Sequence, residues 1–217
     1  MRKGLFVTAI VVIVCGAFVW FVSTRNNPER QFLTAYNGYR AVPRPDAGKL
    51  DEWDRQLKEA YQTMKDAITA GDKTAAKNHL TPFTEITGAQ ADFFKAQATA
   101  HKKEAGLLPD LNTKASALKG EKKTLATRLV NEEADLLKLG EELNNGSLTE
   151  LNLWHELGNN FTSFLNGEID GTKFLSEETQ IGQRIETARK GQAAPGAAAQ
   201  EIIKKINADW NALKSSP

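Results

Sequence analysis

Cysteine is nearly absent. Cys15 is the only one in 217 residues, so the chain has no internal disulfide, and helix packing must hold the fold instead. Covalent haem attachment is excluded too, because Cys-x-x-Cys-His does not occur. Histidine is almost as scarce. His79, His101 and His155 stand far apart in sequence, whereas a metal site needs three or four converging ligands. The di-iron bundle pattern requires Glu-x-x-His, and the order is reversed in His101-Lys102-Lys103-Glu104, which reads as a solvated helix face. His155, beside Trp154 on an apolar helix, reads as packed or partly exposed.

Other absences narrow the function classes further. Phosphate-cradling glycine loops and the Gly-x-Ser-x-Gly elbow are missing. An excess of one charge sign is missing as well: 28 basic residues face 27 acidic ones, and removing Arg2 and Lys3 leaves 26. That balance gives no electrostatic footprint for nucleic acid and no polybasic cluster for anionic lipid. Adjacent carboxylates do occur, at Asp51-Glu52, Glu132-Glu133, Glu141-Glu142 and Glu177-Glu178. Helix neighbours point about 100° apart, so these pairs read as solvated faces rather than acid/base couples. The expectation is a protein that is not an enzyme and has no cofactor and no metal.

What is present begins at the N-terminus. Met1-Arg2-Lys3-Gly4 precedes eighteen uncharged, mostly apolar residues, 5–22, and Arg25 follows. As a helix this run would reach about 27 Å, close to the hydrocarbon thickness of a bilayer. The basic stub predicts a single-pass signal-anchor in the inner (plasma) membrane, with a cytoplasmic N-terminus and the bulk of the chain on the periplasmic side. Trp20 suits the headgroup level. Ala9 and Gly16, small residues seven apart, would let another membrane helix approach closely. Two rivals remain. One is signal-peptide cleavage near Cys15-Gly16-Ala17, although residues 18–22 would leave an apolar mature end. The other is lipidation of Cys15, although Val14 is large for the position before it.

The remainder reads as helix, because Ala, Lys, Glu, Gln and Leu dominate and alternating apolar patterns are scarce. Asn27-Pro28 is a cap followed by a first-turn proline. A stiff proline link at 41–45 precedes a helix over 46–70, closed by Gly71, with Asp72 capping the next. Thr81-Pro82 predicts a kink or break, Gly106–Pro109 a stop, and Asn144-Asn145-Gly146 a turn before a Ser147-x-x-Glu150 capping box. Between the last two, residues 110–144 carry an apolar seam alternating steps of four and three, with Lys122 and Glu132 as exceptions. Asn166-Gly167 and Asp170-Gly171 punctuate, and residues 192–196 read as a flexible linker. The Tyr36-Asn37-Gly38-Tyr39-Arg40 stretch is similar to the start of LemA-type membrane proteins; the downstream residues do not continue the similarity.

The expected architecture is all-α: a transmembrane helix, then an exported bundle of five to seven helices with long antiparallel coiled-coil-like pairs. Its parts are a stub and anchor over 1–25, a connector over 26–45, a bundle over 46–190, and a linker with a C-terminal helix over 191–217. The expected role is a non-catalytic accessory or scaffolding subunit of a larger membrane complex. Its partners would be other integral membrane proteins and the lipid bilayer, and not nucleic acid. An envelope ligand-binding or partner-binding module is the alternative. Candidate interface residues are Ala9, Gly16 and Trp20 in the anchor, and Phe93, Phe94 and Trp154 in the bundle. A thin bundle does not easily bury both members of the adjacent pair Phe93-Phe94.

Overall fold

The computed structural model describes residues 27–215. The expected membrane run, with Ala9, Cys15, Gly16 and Trp20, lies outside the described residues. Among the described residues the fold is all-α, with five α-helices and no strand. They are α1 (Pro28–Arg40), α2 (Leu50–Thr69), α3 (Lys73–Ser116), α4 (Gly120–Leu165) and α5 (Gly171–Ser215), with a 3₁₀ turn at Ala47–Lys49 before α2. No helix among the described residues is long and apolar enough to cross a membrane.

Local chemistry sets half of the ten helix ends. Asn27 Oδ1 accepts from the backbone N–H groups of Glu29 at 2.9 Å and Arg30 at 3.3 Å, with Pro28 beginning the helix. After α2 the N–H of Gly71 donates to Ile68 O at 3.0 Å, and that of Asp72 to Ala67 O at 2.9 Å. This Schellman closure needs a left-handed residue, and Gly71 has φ +76°. Asp72 Oδ1 then accepts from the Ala75 N–H at 2.9 Å and starts α3. The same device recurs after α4 at Gly167, φ +77°, followed by an Asp170 cap on the Lys173 N–H at 2.8 Å.

Four expected interruptions are helical instead. Thr81-Pro82 and Gly106–Pro109 lie inside α3, Asn144–Gly146 and the Ser147–Glu150 pair inside α4, and residues 192–196 inside α5 with Pro195. Tertiary packing overrides these local signals. Phe83, next to Pro82, is wholly buried. A Cβ built at Gly146 would meet Gln192 Cγ at 3.0 Å, so this glycine serves close packing of α4 on α5 rather than a turn. Ser147 Oγ donates to Gln192 Oε1 at 3.1 Å, an interaction between helices rather than a cap. The break that does occur, at residues 117–119, cuts the 110–144 seam; Gly120 adopts φ +55° just after it.

The chain divides into two compact units. Among the described residues the first comprises 27–42, 104–134 and 204–215; the second comprises Pro43–Lys103 and Asp135–Ile203. In the first, α1 buries Phe32, Tyr36 and Tyr39, spaced four and three apart on one face. Leu111, Leu129, Trp210 and Leu213 of the other helices are buried with them. The second unit is a helical bundle. One core cluster joins Leu57 and Met64 of α2, Phe83 of α3, Leu153, Trp154, Leu157 and Phe161 of α4, and Phe174, Ile181 and Ile185 of α5.

Candidate functional site

A cleft of about 210 Å³ opens in the second unit, lined from α2, α3 and α4. Its apolar wall is Leu50, Leu57, Phe94, Leu151 and Trp154, and its polar groups come from Asp51, Asp54, Gln90, Ser147 and Glu150. Helical periodicity assembles it. Leu50, Asp54 and Leu57 share a face of α2, as do Gln90 and Phe94 on α3, and Ser147, Glu150, Leu151 and Trp154 on α4.

Trp154 anchors the site. It is buried at 4 % exposure and makes edge contacts with Tyr61 at 5.7 Å and Phe83 at 5.9 Å. Burial of an indole requires an acceptor for its N–H. Glu150, one helical turn earlier, accepts from Trp154 Nε1 at 3.1 Å. Arg189 of α5 holds the same carboxylate at 2.6 Å, reaches Asp54 at 3.3 Å, and lays its guanidinium over the Trp154 ring at 5.5 Å. Gln90 differs from these partnered groups. It is 6 % exposed, and its Oε1 is buried with no hydrogen-bond partner. A second cleft in the same unit, about 470 Å³, lies between α4 and α5, with Arg184–Glu156 ion-paired at 2.7 Å on its wall.

Two of the carboxylate pairs are not solvated faces. In the first unit Glu133 is buried and accepts from Tyr36 Oη and, at 3.2 Å, from Tyr39 Oη. Burial, followed by the charge of and hydrogen bond to Glu133, raises the Tyr36 phenol far above its ordinary pKa. The Tyr36 ring also meets Trp210 at 4.7 Å, and Arg128 pairs with Asp209 beside it in sequence. Glu132 is pushed above the usual carboxylate range, chiefly by burial and then by Asp209. In the second unit Glu178 is buried, accepting from Tyr61 Oη and from Lys65 Nζ at 2.9 Å. One member of each pair faces inward because a helix places neighbours about 100° apart, and tyrosine supplies the donor that makes burial tolerable. His101 and Glu104 are likewise buried rather than solvated, with Lys102 and Lys103 between them exposed. His101 fits against α4 where Gly140 has no side chain; a Cβ there would meet the ring at 2.7 Å.

The predicted interface residues separate accordingly. Phe93 is buried, 6.4 Å edge-on from Trp53 and 5.1 Å from Phe94. Phe94 is half-buried and, with Trp154, lines the smaller cleft. Ala9, Gly16 and Trp20 fall outside the described residues. Sequence reasoning does not single out Gln90, Asp51, Asp54 or Glu150 as site residues. The acidic residue four before Trp154 is the available signal; Gln90, in an alanine-rich stretch, carries none. Among the described residues no cluster of three or more His, Cys, Asp or Glu is placed to hold a metal ion. No family model, no curated protein and no solved structure matches this chain.

Proposed function

We propose that this protein is a membrane-anchored accessory or scaffolding subunit of a larger membrane complex. It is non-catalytic. Residues 5–22 form its anchor in the inner membrane, and its long antiparallel, coiled-coil-like helices form an exported bundle. The observation that carries this reading is the short distance between the apolar run and the folded part. The run ends at Val22 and α1 is capped by Asn27. Five residue steps span at most about 17 Å when fully extended. α1 is no loose tether either, since Phe32, Tyr36 and Tyr39 are buried in the first unit and two of them hold Glu133. A chain built this way keeps its bundle at the bilayer surface, within reach of the exported faces of integral membrane partners. Ala9 and Gly16 offer a second contact within the membrane.

The test is extraction of the full-length protein from its native membrane in mild detergent, followed by size separation and mass spectrometry. Co-migration with integral membrane proteins at a fixed ratio is the expected result. A lone monomer overturns the subunit reading.

A second reading, an envelope ligand-binding module, is favoured by one observation: the cleft on α2, α3 and α4 sets an apolar wall of Leu50, Leu57, Phe94, Leu151 and Trp154 beside the polar groups of Asp51, Asp54, Gln90, Ser147 and Glu150. Such a module gains thermal stability with its ligand by mass action.

A further inference from the structure

We infer that the end of the first unit at which α1 begins is a docking surface for anionic phospholipid headgroups. The inference rests on the reading of residues 5–22 as a membrane anchor, and it names the surface that lies against the bilayer. Contacts inside the first unit bring four chain segments to that end. Lys122 pairs with Glu29 at 2.9 Å, and further along both helices Glu133 accepts from Tyr36. α1 and α4 therefore run parallel and start side by side. Arg128 pairs with Asp209, while Glu132, one turn onward in α4, faces the charge of Lys205, one turn back in α5. α4 and α5 are therefore antiparallel here, and α5 ends where α4 starts. Arg128 and Lys123 are five residues apart, as are Asp209 and Lys214. That is about 7.5 Å along each helix, which sets Lys123 and Lys214 at one level. α3 ends at Ser116 and reaches the start of α4 through residues 117–119.

The charge gathered there is one-sided. Lys114 and Lys122 are paired, with Asp110 and Glu29. Arg30, Lys119, Lys123 and Lys214 remain, all exposed, against the single further carboxylate of Glu121 among the described residues. No stretch of sequence shows this cluster, because α1, the link after α3, α4 and α5 each supply one of the four. The cations stand on helix ends rather than in a cavity, so a compact anion would reach only one or two of them, whereas a bilayer presents a plane of phosphates to all. The tether joins the chain at this same end. The apolar run stops at Val22, five steps before the Asn27 cap, at most about 17 Å of chain. Arg25 within that stretch adds a cation. Basic side chains held at the headgroup level are attracted by anionic lipid, with a force that fades within a Debye length.

The experiment uses the full chain carrying Cys15→Ala and Ala117→Cys, labelled with a fluorophore at exposed position 117. It is reconstituted in vesicles of phosphatidylcholine, alone or with about one-third phosphatidylglycerol. A nitroxide on the choline headgroup, at the same fraction in both, is the quencher. Quenching at least about twofold stronger in the anionic vesicles is expected. Salt at about 1 M, where the Debye length is about 3 Å, is expected to remove the difference in the labelled chain without further substitution. Combining Arg30→Gln, Lys119→Gln and Lys123→Gln is expected to remove it too, with an unchanged thermal melt. Equal quenching in the two kinds of vesicle overturns the inference and leaves these cations to an acidic partner protein. A difference that survives the salt, or survives the three substitutions, overturns it as well. Flotation with neutral vesicles in the same high salt reports the anchor alone. A chain that floats without charge-dependent quenching sinks this inference and spares the anchor; one that does not float overturns both.

Discussion

Tyr36 illustrates how one hydroxyl can hold a buried charge in place. Its ring is fully buried, stacks 6.0 Å from both Phe32 and Tyr39, and lies 4.7 Å from Trp210. Its hydroxyl donates to Glu133, which is 5 % exposed. A carboxylate in such surroundings tolerates burial only through its donors, and hydrogen bonds to charged groups contribute about 1.5–3 kcal/mol each. Tyr36→Phe keeps the ring and its packing and removes one donor. It is expected to destabilise the protein by about 2 kcal/mol, measured by urea denaturation. A change below about 0.5 kcal/mol would show that Glu133 is satisfied without Tyr36. The pair Tyr36 and Tyr39 is visible in the sequence as part of one short motif, and Glu133 as one of two adjacent carboxylates. Their meeting is not, because 97 residues separate Tyr36 from Glu133 and no local pattern encodes that distance.

Helix ends are legible where a positive-φ glycine and a capping aspartate coincide. Gly71-Asp72 and Gly167 with Asp170 each close one helix and open the next, as their sequence signals suggest. Elsewhere the same residue types mislead. Pro82, Pro109, Gly146 and Pro195 are breakers by propensity, yet each lies inside a helix of 44–46 residues. Propensity prices a residue in isolation, whereas these helices are held by buried partners such as Phe83, Trp154 and Ile185. The cleft is half legible for a related reason. Phe94 and Trp154 stand out as aromatics, while Gln90 becomes noticeable only once its surroundings are known. Pro195 gives the sharpest test at this scale. Inside a helix, proline removes one hydrogen bond and strains the preceding turn, at a cost of about 3 kcal/mol relative to alanine. Pro195→Ala is therefore expected to stabilise the protein by about 1–3 kcal/mol in urea denaturation. In a flexible linker the same substitution would be neutral or slightly destabilising, because proline there restricts the unfolded chain.

Neither unit is a continuous stretch of chain. The first takes three separate segments and the second two, and α3, α4 and α5 each supply residues to both. A cut at any one place therefore removes part of a core rather than a whole domain. The C-terminal segment is a case in point. Residues 204–217 contribute Ile206, Asp209, Trp210 and Leu213 to the buried interior of the first unit. Trp210 packs on Tyr36, Arg40 and Lys214 reach its ring at 6.0 and 5.2 Å, and Asp209 is the partner of Arg128. Loss of a single buried tryptophan costs about 3–5 kcal/mol. Loss of the whole segment exceeds what one small unit retains as stability. The core cluster of the second unit, in contrast, contains no residue beyond Ile185. Truncation after Ile203 is expected to abolish the cooperative unfolding of the first unit, with partial loss of the far-ultraviolet helix signal. The second unit should keep a cooperative melt that reports on buried Trp154 in near-ultraviolet dichroism. If the truncated chain instead loses all cooperative unfolding, the two cores depend on one another for stability. If it melts like the intact chain, Trp210 and Asp209 do not hold the first unit together.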